Sequence, residues 1–171
     1  MRRGVLGFAD LVEELALIED AEIRQKVAAV WDAALSEHNI SAEELQKLPF
    51  CDEVPVERVS LLTHLRAVAR TAAHLADIYT DTYGVAVDKD ALVAAALLHD
   101  VGKLDERKNP LLEHSLSSVL RAAREGLPDK VLHAIAFHSE SAAAKRRCTE
   151  AQLLYFADFA HYSPLLESGN G

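Results

Sequence analysis

The residues best able to do chemistry are histidines and aspartates stranded on apolar helical runs. His64 lies in LLTHLRAV, the adjacent pair His99 and Asp100 in LLHDVG, His138 in AIAFHSE and Asp158 in LLYFADFA. A lone histidine in such a place usually satisfies the core or ends a helix rather than holding a metal. The aspartates ask for more, because burying an ionised carboxylate is costly unless it is paired or coordinated. Neither Asp100 nor Asp158 has a cationic partner within its own apolar run. Several imidazoles and two carboxylates stranded in this way suggest a shared cation held between converging helix ends. Imidazole and carboxylate without thiolate suit iron or manganese, with cobalt, nickel or zinc as further options, rather than a structural zinc finger.

The elements that must position these residues are helical. A short helix is expected over about 8–18, with Phe8, Leu11, Leu15 and Ile18 on one side. Asp20 is an N-cap for a longer one, in which Ile23, Val27, Val30, Trp31, Ala34 and Leu35 recur at the spacing of a buried stripe. Ser41 and Glu44 form a capping box for a brief helix, and LPFCDEVPVE, with two prolines, is the clearest break in the chain. Beyond it a long helix is expected over about 57–82, ended by Gly84. Asp88 or Asp90 then starts DALVAAALLHD, which is apolar around most of its circumference and belongs in the middle of a bundle. After a loop containing Lys108, Asn109 and Pro110, helices are expected over about 114–124, 129–139 and 149–162. Alternating β-branched runs are missing. The reading is all-α, with residues 1–55 as an N-terminal helical extension packing on a bundle formed by 56–171.

At 171 residues, half of them hydrophobic, the chain can bury a real core. Its formal charge is −9 and its basic residues form no stripe beyond KRR at 145–147, which argues against non-specific nucleic-acid binding. A small phosphorylated substrate stays open, because a bound cation overrides the net field locally. Cys51 and Cys148 are far apart with no CxxC, so neither a disulfide framework nor a thiolate zinc site is suggested, and a reducing cytoplasm fits. Asp10, Glu13 and Glu14 interrupt any signal-peptide core, and the longest apolar run, Ala91 to Leu98, is too short to span a bilayer.

The series His64, His99-Asp100 and Asp158 resembles the H…HD…D signature of the HD-domain superfamily of metal-dependent phosphohydrolases. The resemblance covers about 58–163 and is strongest at AALLHDVGK, close to the HDIG variant of the motif. It implies an HD-type helical bundle in which His64, His99, Asp100 and Asp158 bind one metal. His114 and His138 stand where two-metal members carry additional histidines, so two ions are expected, bridged by Asp100. The implied activity is hydrolysis of a phosphomonoester or phosphodiester of a nucleotide-like small molecule by a metal-activated hydroxide.

Asp100 and Lys103 are the expected catalytic residues. Lys103 lies one helical turn past His99, with a glycine between them that permits a sharp change of direction, and its ammonium would offset phosphate charge. The blander reading is a solvated lysine at its helix terminus. Glu140, Asp105 or water could serve as general acid. Arg66 points away from His64 on a straight helix and is set aside together with Arg70. His161 is read as a surface residue, His74 and His133 as facing solvent or other helices, and His38 as lacking an identifiable partner. Two alternatives remain. Mixed-valent di-iron oxygenases share the ligand set, and HD bundles whose ligands decay act as nucleotide-sensing modules, although all six positions here remain His or Asp. The N-terminal helices are expected to pack within the chain, with a homodimer contact as the alternative.

Overall fold

The computed structural model describes residues 6–139 and 145–167. Its helices are α1 (Ala21–His38), α2 (Leu61–Tyr83), α3 (Lys89–Leu98), α4 (Lys103–Lys108), α5 (His114–Arg124), α6 (Asp129–Ala136) and α7 (Thr149–Glu167). Among the described residues there is no strand, only an isolated antiparallel bridge between Pro49 and Ser60. No described helix is long and apolar enough to cross a membrane.

Helix α3 is the axis of the bundle. Its apolar circumference is buried from Ala91 through Leu98, and it packs against α1, α2, α6 and α7. The capping signals act as their chemistry predicts. Asp20 accepts from the backbone N–H groups of Glu22 and Ile23, Ser60 from Thr63, and Asp88 from Ala91. Gly84 ends α2 at φ 66°, in the left-handed region.

The N-terminal segment buries Phe8, Val12, Leu15 and Ile18, and Phe8 stacks on Trp31 at 5.0 Å. The expected helix over 8–18 is instead two short 3-10 turns, Phe8–Asp10 and Glu13–Leu17. The Asp10 carboxylate closes the first by accepting from Gly7 N–H, and Val12 leaves helical geometry between them. Helix α2 starts at Leu61 rather than 57, because residues 55–59 turn about the Pro55 carbonyl and Ser60 is extended. Helix α4 lies where a loop was expected; it buries only Leu104, too little for a periodic signal. Helix α6 stops at Ala136, where Phe137 leaves helical geometry, while α7 continues to Glu167.

The α1 stripe is buried within the chain at Val27, Val30, Trp31, Ala34 and Leu35, so it is not available as a dimer contact. From it, Trp31 Nε1 donates to the Leu97 carbonyl at 2.8 Å, deep in the core. Leu97 is among the last residues of α3, whose terminal carbonyls have no helical partner. Trp31→Phe keeps most of the ring but orphans this carbonyl, and should cost about 1–3 kcal/mol. Urea denaturation measures it; an unchanged midpoint would show that the bond contributes nothing.

Candidate metal centre

Five of the six residues expected to hold metal come from the ends or outer turns of helices that converge on the C-terminus of α3, and Asp158 comes from the middle of α7. His64 sits in the first turn of α2, His99 caps α3, Asp100 follows it, His114 opens α5 and His138 follows α6. His64, His99, Asp100 and His138 are buried.

The structure brings all six together. His64, His99 and Asp158 offer ligand atoms within 4.8 Å of one another, as do His99, Asp100 and His138. His64 Nε2 lies 3.0 Å from Asp158 Oδ1 and 3.8 Å from Asp100 Oδ2. His114 completes the group, with Nε2 3.5 Å from Asp100 Oδ1 and 3.3 Å from His138 Nε2.

Two of the imidazoles are oriented by one device. His99 Nδ1 donates to the Ala96 carbonyl at 2.8 Å, and His138 Nδ1 to the Ile135 carbonyl at 2.7 Å. A carbonyl only accepts, so Nδ1 carries a hydrogen in both and each Nε2 is turned inward, that of His138 to His114 Nε2. His99 Nε2 and His64 Nδ1 are buried without a hydrogen-bond partner. An orphaned imidazole nitrogen among carboxylates fits a divalent cation.

The electrostatics point the same way. Burial pushes the His99 imidazole down, but the Asp100 and Asp158 charges prevail and raise it to about 9. Burial pushes His138 down, and the His99 charge adds to this, leaving it at about 4. Asp100 and Asp158 are pushed up by burial. Lys103 and His99 hold Asp100 far below the usual carboxylate range, and hydrogen bonds from His64 and His99 do the same for Asp158. Without a metal the cluster holds a proton where a cation would sit.

Lys103 is neither solvated nor bonded to a helix terminus. Its side chain is only 17% exposed, and Nζ lies 3.1 Å from Asp100 Oδ2. It also donates to the Phe50 carbonyl, with Nζ 5.7 Å from the Phe50 ring centre. Asp100 thus has a cationic partner after all, three residues on, just past the end of its apolar run. Gly102 is needed for another reason than a change of direction, since its φ of −67° is ordinary helix. A Cβ there would stand 2.1 Å from the His114 carbonyl oxygen and 2.7 Å from Ser118 N. The glycine lets α5 approach closely, and Gly102 N–H donates to Ser118 Oγ, which donates on to the His99 carbonyl.

Asp105 cannot be the general acid as it stands: Arg121 and His38 hold it outside the cavity. That group supplies the partner His38 lacked in the sequence. Glu140 lies outside the described residues. Arg66 pairs with Glu13 and Glu14 and stays away from the site, and Arg70 pairs with Glu14. His161 bonds Thr71 at 2.7 Å, and His133 accepts from Arg147 N–H.

A cavity of about 270 Å³ opens over the cluster and exposes His64, Asp100, Lys103, His114, His138 and Asp158. Its other wall is aromatic, formed by Phe50, Tyr155, Phe159 and Tyr162. The sequence reading missed these four. Tyr155 and Tyr162 stand three and four positions from Asp158, so a helical wheel centred on Asp158 would have found them, while Phe159, at the next position, stands about 100° round the helix. Phe50, stacked on His64 at 4.5 Å, comes from a proline-rich stretch with no periodic signal.

Gly102→Ala should cost at least about 2 kcal/mol, since the clash is with backbone, and should loosen metal binding by displacing His114. Calorimetry with Mn²⁺, beside thermal unfolding, checks both, and wild-type values would refute the close-packing argument. In metal-stripped protein, the stability from His99 is present below 6.5 and lost as pH rises through about 9. The two carboxylates act oppositely, their share present above 3.8 and lost on acidification. Unfolding titrations should therefore show a decline from neutral to alkaline pH that is absent in His99→Gln; an equal decline in both would remove the proton from His99.

Comparison with known proteins follows this geometry. The family described as HD domain matches residues 61–162, more than half of the chain. A dihydroneopterin 2',3'-cyclic phosphate phosphodiesterase of Methanocaldococcus jannaschii is 28% identical over 112 residues, which cover 58% of this chain and 45% of that protein. The match therefore spans less than half of that relative's length. No solved structure matches. The chain belongs to the HD domain family.

Proposed function

We propose that this HD domain protein is a metal-dependent phosphohydrolase acting on a small phosphorylated molecule. The observation that carries this reading is the His/Asp cluster, with His99 Nε2 left without a partner among the carboxylates, beside a half-buried lysine at the floor of a cavity. His64, His99, Asp100 and Asp158 would hold one divalent ion, and Asp100, His114 and His138 a second, iron or manganese being the best chemical match to the donors. When bound, such ions supply Lewis acidity toward the phosphoryl oxygens and lower the pKa of water. Residues 1–55 act as a helical extension that packs on the bundle of 56–171.

The chain's own groups do the rest. Asp100 holds one oxygen toward His114 and the other toward His64, His99 and Lys103, so one buried carboxylate faces both ligand sets. Burial pulls the Lys103 ammonium down, but the Asp100 charge outweighs it and keeps the group protonated. It acts as fixed positive charge for a phosphoryl oxygen, exchanging the Phe50 carbonyl for substrate. Water oxygen attacks phosphorus and gives up a proton, the P–O bond to the leaving group breaks, and the departing oxygen takes up that proton, directly or through solvent. The aromatic wall suits the flat ring of a nucleotide-like or pterin-like ester, and the relative's name makes cyclic phosphodiesters the first substrates to try.

The decisive experiment combines metal analysis of protein purified without a chelating tag with a panel of phosphomonoesters, linear diesters and 2',3'-cyclic diesters. Asp100→Ala should lose at least about a thousandfold in turnover while keeping its helicity. Unchanged turnover would mean the site is wrong. Oxygen consumption coupled to turnover would replace hydrolysis with di-iron oxygenase chemistry.

A further inference from the structure

We propose that Phe159 is the residue that selects the substrate, by offering a face on which the flat heteroaromatic ring of a phosphate ester stacks. This rests on the phosphohydrolase reading and names what holds the non-reacting end of the molecule. The four rings that line the cavity are not equivalent. Phe50 is 2% exposed, with His64 stacked on it at 4.5 Å and Tyr162 set edge to face at 6.3 Å, so it has no face to offer. Tyr155 is half-buried, and the Arg146 guanidinium lies 3.7 Å from its ring centre. That guanidinium is held in place by donating from Nε to the Phe137 carbonyl and from Nη2 to the Ser139 carbonyl. Phe159 remains. It is 36% exposed, and its ring partner is Tyr155, stacked at 5.5 Å with the two planes 22° apart.

Its place on α7 fits that role. At about 100° per residue, Tyr162, Tyr155 and Phe159 stand about 40°, 60° and 100° round the helix from Asp158. The three rings therefore lead away from the candidate metal ligand toward the edge of the cavity, with Phe159 last and most open. A phosphoryl group seated beside Asp100, Lys103 and Asp158 would extend the rest of its ester along this row. A ring arriving on Phe159 meets a flat surface already backed by a second ring, the offset-stacked arrangement that aromatic groups prefer. Every heteroaromatic base has a π-face, so such a contact selects for a ring rather than for one particular base. Phe156 supplies the contrast. At 47% it is more exposed than Phe159, but it stands about 160° round from Asp158 and lies outside the cavity. Position, and not exposure, singles out Phe159.

Calorimetry and steady-state kinetics on the full chain test this, with ligands that share a phosphate and differ in the ring. Adenosine 3'-phosphate or neopterin phosphate should bind the wild type at least about tenfold more tightly than glycerol phosphate. Phe159→Leu should erase that difference and leave glycerol phosphate binding unchanged. In turnover of adenosine 2',3'-cyclic phosphate, Phe159→Leu should raise KM with kcat unchanged, and Phe159→Trp should keep the wild-type KM. Glycerol 1,2-cyclic phosphate should be hydrolysed equally by all three proteins, and Phe156→Leu should change none of these values. Equal binding of ring-bearing and ringless phosphates by the wild type, a preference that survives Phe159→Leu, or the same loss in Phe156→Leu would each overturn the proposal. Wild-type protein that hydrolyses no ester of the panel, yet shows a ring preference lost in Phe159→Leu, would sink the hydrolase reading and leave the ring seat supported.

Discussion

Helix α3 ends inside the protein, and the carbonyls at that end must find donors where water cannot supply them. Five successive carbonyls do so, three through side chains and two through backbone N–H groups. The Ala96 oxygen accepts from His99 Nδ1, that of Leu97 from Trp31 Nε1, and that of Leu98 from Val101 N. The His99 oxygen accepts from Ser118 Oγ and that of Asp100 from Lys103 N. A buried helix terminus without partners would be costly. Here its satisfaction draws α1, α4 and α5 to one point and turns His99 Nε2 toward the carboxylates of Asp100 and Asp158.

The same constraint sets the local charge. With Nδ1 spent on a carbonyl in both His99 and His138, the unpartnered His99 Nε2 faces carboxylates that cannot leave, because Asp100 sits in the buried turn after α3 and Asp158 on packed α7. Two buried carboxylates need positive charge nearby. Lys103 supplies one, in contact with Asp100, and the elevated His99 supplies another when protonated. A divalent ion answers the same need better, since it coordinates several of these atoms at once. The arrangement is one in which metal and proton compete for the same lone pair.

Much of this could be read from residue type and order. Carboxylates interrupting runs such as LLHD and LLYFAD are conspicuous because burial of charge is expensive, and the apolar girth of α3 marks it as central. The glycine after His99-Asp100 was visible but misread. Its backbone angle is one any residue adopts, and only the approach of the His114 carbonyl shows why a side chain is excluded. The Phe50 carbonyl on Lys103 and the Trp31 indole on Leu97 were invisible for a related reason. Both join residues more than fifty positions apart, and neither leaves a period in the sequence. Local pattern reports which face of a helix is buried; it does not report which distant atom meets it.

Those two long-range contacts bear on what counts as the catalytic unit. The family match begins at residue 61, yet Trp31 and Phe50 both precede it. One satisfies the carbonyl two residues before His99, and the other stacks on His64 while its carbonyl takes Lys103. Arg107 donates to the neighbouring Pro49 carbonyl, so α4 ties the same stretch down twice. Three groups of the site, His99, His64 and Lys103, are thus steadied by chain outside the matched segment. The segment at 49–50 is held beside the cluster by bonds to Lys103 and Arg107. The stretch around Phe50, with the least recognisable pattern, thus forms the wall at His64, while Trp31, on the periodic stripe of α1, supports the floor beneath His99.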